Sequence, residues 1–228
     1  FGVNDVIINN SRRPVQVDVA LGNLPGDGSS SNPYEISNVS ELQAMEDDLD
    51  ANYELVSDID ASQTAQFNNE SGFDPVGVFT GTFDGNDHTV TELTINRPDE
   101  SGVGLFGATG NGATIRNITL AGTTVTGDFG VGGLIGENEF NAIVADATVS
   151  GNVTGETDVG GLVGRNFEAT IQTATTSGSV NGEGDVGGLV GSNSGGNISN
   201  SSARVDVTGG SITGGLVGFN VDSARVIS

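Results

Sequence analysis

Five aspartates, Asp58, Asp60, Asp74, Asp84 and Asp87, fall in one stretch of this chain, and paired carboxyls are what breaks a glycosidic bond. That chemistry needs two of them held about 5–9.5 Å apart, one to give a proton and one to attack or to activate water. Arg97 and Arg116 follow closely enough in sequence to hold an acidic sugar. His88 is the only histidine, so a histidine metal site or a Ser-His-Asp triad would rest on this one residue. Among 30 acidic residues some close pairs arise by chance, so a structural part for these side chains outweighs catalysis. No catalytic residue is assigned.

A second carboxylate set is periodic. Asp128, Glu156 and Glu183 each stand six residues before a leucine, and Asp158 and Asp185 stand four before one. Stacked, they make a double stripe of hard oxygen ligands suited to Ca²⁺. The stripe stops at Gly210 and Ile212 and lacks the spacing of a dedicated calcium loop, so a solvated acidic edge is the first reading. No other cofactor is implied, and the lack of cysteine removes disulfides and thiolate chemistry. Seven N-x-S/T sequons, at Asn9, Asn38, Asn69, Asn117, Asn152, Asn197 and Asn200, are sites a surface location would open to N-glycosylation. A chain this rich in Asn, Ser and Thr yields about five by composition, so the excess is weak.

The leucines that set this period are Leu105, Leu134, Leu162, Leu189 and Leu216, at intervals of 29, 28, 27 and 27 residues. They sit in VGLFG, VGGLIG, VGGLVG, VGGLVG and TGGLVG. An asparagine follows the last four by four residues: Asn138, Asn166, Asn193 and Asn220. Ile143, Ile171 and Ile198 come five residues later, and Gly155, Gly182 and Gly209 close the units. Each unit is too short to bury a core alone, and Val, Ile and Thr dominate its short runs. The pattern predicts a right-handed parallel β-helix with one coil per repeat and coils about 4.8 Å apart. Leucines and isoleucines become inward ladders, and asparagines a turn ladder whose amides bond along the stack.

Residues 102–228 hold the regular repeats. Upstream, YELVSDIDAS at 53–62 and FTGTFDGNDHTVTELTIN at 79–96 read as less regular coils. SELQAMEDDL at 40–49 is a helix with a Ser40/Gln43 capping box and Leu42, Met45 and Leu49 on one face, placed to cover the first coil. Residues 1–24 form an N-terminal arm, and 25–228 form the solenoid. In the arm, VQVDVAL places Val15, Val17, Val19 and Leu21 on one face, and VNDVII supplies a second apolar run through Val3, Val6 and Ile8. At the other end a fresh strand begins at Val226 and Ile227. A strand-forming arm and an open edge predict strand addition between copies. A head-to-tail contact of this kind generates a filament.

The GTFDGNDHTV turn, the NPYEIS start at 32–37 and the VGGLVG…N units resemble the GLUG-repeat family of bacterial and archaeal surface proteins. The resemblance spans about residues 30–220. It implies a parallel β-helix within large adhesin-like or secreted proteins, at the cell surface or outside the cell, without fixing an activity. Asp87 departs from the glycine that the family more often carries there.

Charge narrows the reading. The formal net charge is −23, and all seven basic residues are arginines. Such a chain repels itself in dilute buffer, while at about 1 M salt the Debye length falls to about 3 Å. This composition fits a halophilic organism. The same field excludes nucleic acid as a partner, and no apolar run reaches the roughly 18 residues of a membrane helix. The sequence is read as a non-enzymatic extracellular filament subunit or adhesin whose partners are copies of itself and cell-surface glycans. The alternatives are a carbohydrate-active β-helix enzyme and a monomeric glycan-binding stalk.

Overall fold

A computed structural model describes residues 21–227, which form an all-β parallel solenoid of about six turns. All named strand pairs are parallel, and they build sheets of twelve, six and four strands. A regular coil has three strands. A long one (Thr114–Thr126, Ile143–Thr154, Thr170–Asn181) leads to a short one (Phe129–Gly132, Thr157–Gly160, Asp185–Gly187). The chain then doubles back at Gly-Leu into a third (Ile135–Glu139, Val163–Phe167, Val190–Ser194). Buried Val, Leu and Ile alternate with exposed Thr, Ser and Asn along the long strands, as a sheet with one wet face requires.

The leucines lie in one column. Leu134 N–H donates to Leu162 O (2.9 Å), Leu162 to Leu189 (2.9 Å) and Leu189 to Leu216 (2.8 Å), while Phe106 N–H meets Leu134 O (2.9 Å). Leu105, Leu134, Leu162 and Leu189 are fully buried, and Leu216, in the last coil, is partly so. The asparagines form an amide chain. Thr109 Oγ1 donates to Asn138 Oδ1 (2.9 Å), Asn138 Nδ2 to Asn166 (2.7 Å), Asn166 to Asn193 (2.7 Å) and Asn193 to Asn220 (2.8 Å). The spare amide hydrogens of Asn166, Asn193 and Asn220 tie the following turn through the carbonyls of Ala169, Gly196 and Ala224.

The isoleucine expectation needs correction. Ile143 is 40% exposed, and Val144 takes its place above Ile171, Ile198 and Val226. The turn after Asn138 has one more residue than those after Asn166 and Asn193. Phe140 and Asn141 both adopt left-handed conformations there, whereas Glu168 or Gly195 suffices alone in the shorter turns. That extra residue shifts the strand by one, and a shift of one puts Ile143 outside.

The helix is also shorter than expected. It runs Val39–Gln43, continues as a 3₁₀ turn Ala44–Asp47, and is capped by Asn38, whose Oδ1 accepts from Ser40 and Glu41 N–H (both 3.1 Å). Gln43 serves a tertiary contact instead: its amide clamps the Asp74 backbone in both directions at 2.9 Å. Val39, Leu42 and Met45 are buried on the first coils, whose core is aromatic. Tyr34, Tyr53, Phe79 and Phe106 stack in sequence with centroids 5.2–6.2 Å apart, and Phe83 meets Phe106 edge-on.

Of the proposed arm, Val3, Val6, Ile8, Val15, Val17 and Val19 lie outside the described residues. Leu21 opens a 3₁₀ turn, Leu21–Asn23, instead of continuing a strand, and Leu24 is buried in the core. Val226 and Ile227 belong to the strand Arg225–Ile227, paired with Asn197–Ser199, and are 45% and 54% exposed.

Candidate functional site

The aspartates of the N-terminal coils are engaged separately. Asp58 accepts Thr89 N–H (2.9 Å) and faces His88 Nδ1 at 3.2 Å, so the histidine pins a turn. Those two contacts hold its carboxyl below the usual range. Asp60 caps Ser62 N–H (2.9 Å). Burial alone would raise Asp84, but the Asn117 amide, Asn86 N–H and Arg116 outweigh it and hold the carboxyl low. Asp87 sits in the DGN turn at φ 61°. Asp74 pairs with Arg97 (3.0 Å), which also grips Glu100 (3.0 Å) and the Phe73 carbonyl.

The periodic acids stack along the backbone. Glu156 N–H donates to Asp128 O, and Glu183 N–H to Glu156 O, both at 2.8 Å. Among the described residues no three Asp, Glu or His side chains gather where a metal ion could sit. The two rows of acids diverge because Asp158 is at φ 55°, which turns its side chain from the edge to a buried position, 7% exposed.

Where Asp158 lies, the coils form a groove. Val103, Val131, Val159 and Val186 stack, so the residues before them, Gly102, Gly130, Asp158 and Asp185, make one wall. Val78, Ala108, Glu137, Arg165, Ser192 and Phe219 stack on the six-stranded sheet as the other wall. A Cβ on Gly130 would come within 3.3 Å of Glu137 Cγ, so the walls face each other. Where the first wall is glycine the groove opens into a cavity of about 330 Å³. Pro75, Val78 and Ala108 are among its lining residues, as are Asp74, Glu100 and Glu137. Sequence reasoning missed Glu137, Glu100 and Arg165. The signal was there: three residues after each leucine the repeat varies freely (Ala108, Glu137, Arg165, Ser192, Phe219), as an outward slot does.

Burial, with Asp185 beside it, pushes the Asp158 carboxyl up to about 6. Arg165 opposes the shift and Glu137 adds to it. The unfolded carboxyl titrates near 3.9, so the native state holds its proton more tightly, and stability falls as pH rises from about 4 through 6. Asp158→Asn should therefore melt above the parent at pH 7.5, by of order 1–2 kcal/mol, with the gap closing at pH 4. Thermal melts of the two proteins across that range check this.

The sequons have different surroundings. Asn38 is the helix cap and Asn117 bonds Asp84, whereas Asn69, Asn152, Asn197 and Asn200 are exposed. Asn9 lies outside the described residues.

The profile of the GLUG motif matches residues 127–154 and 182–208, two of the coils that build the groove and the amide chain. The chain carries GLUG motifs. It is 43% identical over 119 residues to Halomucin of Haloquadratum walsbyi, covering 50% of this chain and 1% of that protein. A protein of Evansella cellulosilytica named as a Gly-rich membrane protein is 35% identical over 123 residues, 50% of this chain and 14% of its own. This GLUG-repeat chain thus spans a small part of the relatives it matches. A Bacteroides ovatus crystal structure, named for immunoglobulin A1 protease activity, superposes with a TM-score of 0.68 at 21% identity. It covers 87% of this chain and 65% of that one, and the likeness is one of fold. No helix among the described residues is long and apolar enough to cross a membrane.

Proposed function

We propose that this chain is a structural element of a halophilic cell surface, a non-enzymatic rod whose units join head to tail through the apolar runs of residues 1–21. The observation that carries this reading is the unbroken stacking of the coils: the leucine column and the asparagine amide chain join each coil to the next from Thr109 to Asn220. Coils stacked in this way make a rod, and the alternating apolar runs of residues 3–8 and 15–21 are strand-forming sequences suited to adding to a sheet edge of a neighbouring copy. The names of the two relatives, a halomucin and a membrane protein, support a surface location. Cell-surface glycans are the partner class such a location offers.

Electron micrographs of the purified chain test the assembly. Fibres are expected from the parent and folded monomers after deletion of residues 1–20; fibres that survive the deletion refute it.

A further inference from the structure

Six of the seven sequons fall among the described residues, and their surroundings differ in what a glycosyl transfer needs. The acceptor must offer a free asparagine amide while its serine or threonine two residues on is read by the transferase. A chain locked into ladders on both sides cannot bend to do this. Asn117 has no free amide, since its Nδ2 donates to Asp84 (2.9 Å). Asn38 is held as the helix cap: its Oδ1 accepts from Ser40 and Glu41 N–H, and its Nδ2 reaches Ser37 Oγ (3.4 Å). Asn152, Val153 and Thr154 are paired with residues 124–126 on one side and 179–181 on the other. Asn197–Ser199 likewise lies between residues 170–172 and Arg225–Ile227. Asn200 is left-handed at φ 50°, but its N–H is tied to Ile227 O (3.0 Å) and its sequon hydroxyl, Ser202, is paired with Thr175.

Asn69 meets both conditions. It lies in the 3₁₀ segment Ser62–Glu70, which belongs to no sheet. Asn68, Asn69 and Glu70 take left-handed φ of 50°, 57° and 74° in succession, and all three are exposed. The feet of this turn are pinned. Phe67 is buried, Asn68 Nδ2 donates to Gly72 O (2.9 Å), and Gly72 N–H donates to Phe67 O (3.1 Å). The side-chain hydrogen bonds of the segment are made by Thr64 and Asn68, which leaves the Asn69 amide and the partly exposed Ser71 hydroxyl without partners among the described residues. We propose that Asn69 is an N-glycosylation site, the acceptor of an oligosaccharide carried on a lipid phosphate. In the transfer the Asn69 Nδ2 forms a bond to the sugar C1, and the bond from C1 to the phosphate oxygen breaks. The lipid phosphate leaves with the electron pair, and one amide proton passes to solvent. This inference rests on the surface location proposed above, where such donors are met.

The test expresses the full chain behind a secretion signal in a haloarchaeal host that N-glycosylates its own surface proteins, with glycopeptides mapped by mass spectrometry. The peptide holding Asn69 should carry the glycan, at an occupancy at least about tenfold above Asn152 and Asn197, which become acceptors only when ladder bonds open. Asn69→Asp should remove the added mass and keep the β circular dichroism of the parent, because aspartate tolerates a left-handed φ. Ser71→Ala should abolish the glycan with Asn69 intact, and Ser71→Thr should retain it, a pattern that exposure of Asn69 alone would not produce. A bare Asn69 in cells whose own surface glycoprotein is modified, equal occupancy at Asn152 or Asn197, or a glycan indifferent to Ser71→Ala would each overturn the proposal. Because the signal supplies secretion, such a failure bears on the site and leaves the surface location and the fibres to their own test.

Discussion

Replacing Asn166 with leucine should lower the melting temperature by roughly 10–20 °C, one of the two largest effects expected of any single change in this chain. Asn166 sits at the centre of the amide chain, fully buried. Its Oδ1 accepts from Asn138, and its Nδ2 donates to Asn193 and to the Ala169 carbonyl. Leucine fills the space and bonds to none of them. The Asn138 amide, the Asn193 oxygen and the Ala169 carbonyl are then left without partners in a site water cannot enter, at about 1–3 kcal/mol each. Asparagine is the residue that can do this work because it both donates and accepts, so each copy serves the coil on either side. Aspartate would accept from Asn138 but offer Asn193 a second acceptor and bury a charge. Asn220, exposed in the last coil, ends the chain of amides, and Asn220→Ala should cost no more than about 1 kcal/mol. Melts of the Asn166, Asn193 and Asn220 variants check that the cost follows position in the stack. Equal losses at all three would mean that the asparagines act as separate turn residues.

The repeat made much of this legible in advance. A side chain that recurs every 27 or 28 residues has to meet its own copy, so the Leu134 and Asn138 columns could be written down from spacing. Spacing fails where the period does. The single added residue near Phe140 moved Ile143 from core to surface, and nothing in its own chemistry signals that. The groove was hidden for another reason: part of one wall is Gly102 and Gly130, and a missing side chain reads in sequence as a turn. Asp158 looked like a solvated acid in a stripe because its left-handed φ, which carries it inward, is a backbone property. The cap was misplaced by two residues because Asn38 and Ser40 are both good caps, and the choice rests on how Gln43 meets Asp74, thirty-one residues away.

Gly160→Ala should prevent the solenoid from forming, a loss of at least about 4 kcal/mol, while Gly215→Ala in the same glycine phrase should fold within about 0.5 kcal/mol of the parent. Gly160 has no left-handed φ, so alanine could adopt its backbone freely; the obstacle is space. A Cβ there would overlap the Val163 carbonyl and stand 2.7 Å from Gly191 N and 2.8 Å from Leu189 O. All three are backbone atoms. They belong to strands whose positions the coils above and below already fix, so no rotamer change relieves the overlap. The chain doubles back at Gly-Gly-Leu so tightly that the two strands of one coil approach through their main chains, and the equivalent Gly132, Gly187 and Gly214 meet the same carbonyl of their own coils. This is why the phrase recurs: each coil must make the same close crossing, and only a residue without Cβ permits it. Circular dichroism of the Gly160 and Gly215 variants separates the two causes of glycine retention. If Gly160→Ala folds like the parent, the crossing is looser than these contacts require and the repeat must be held by something else. If Gly215→Ala unfolds, backbone freedom rather than space is what the phrase demands.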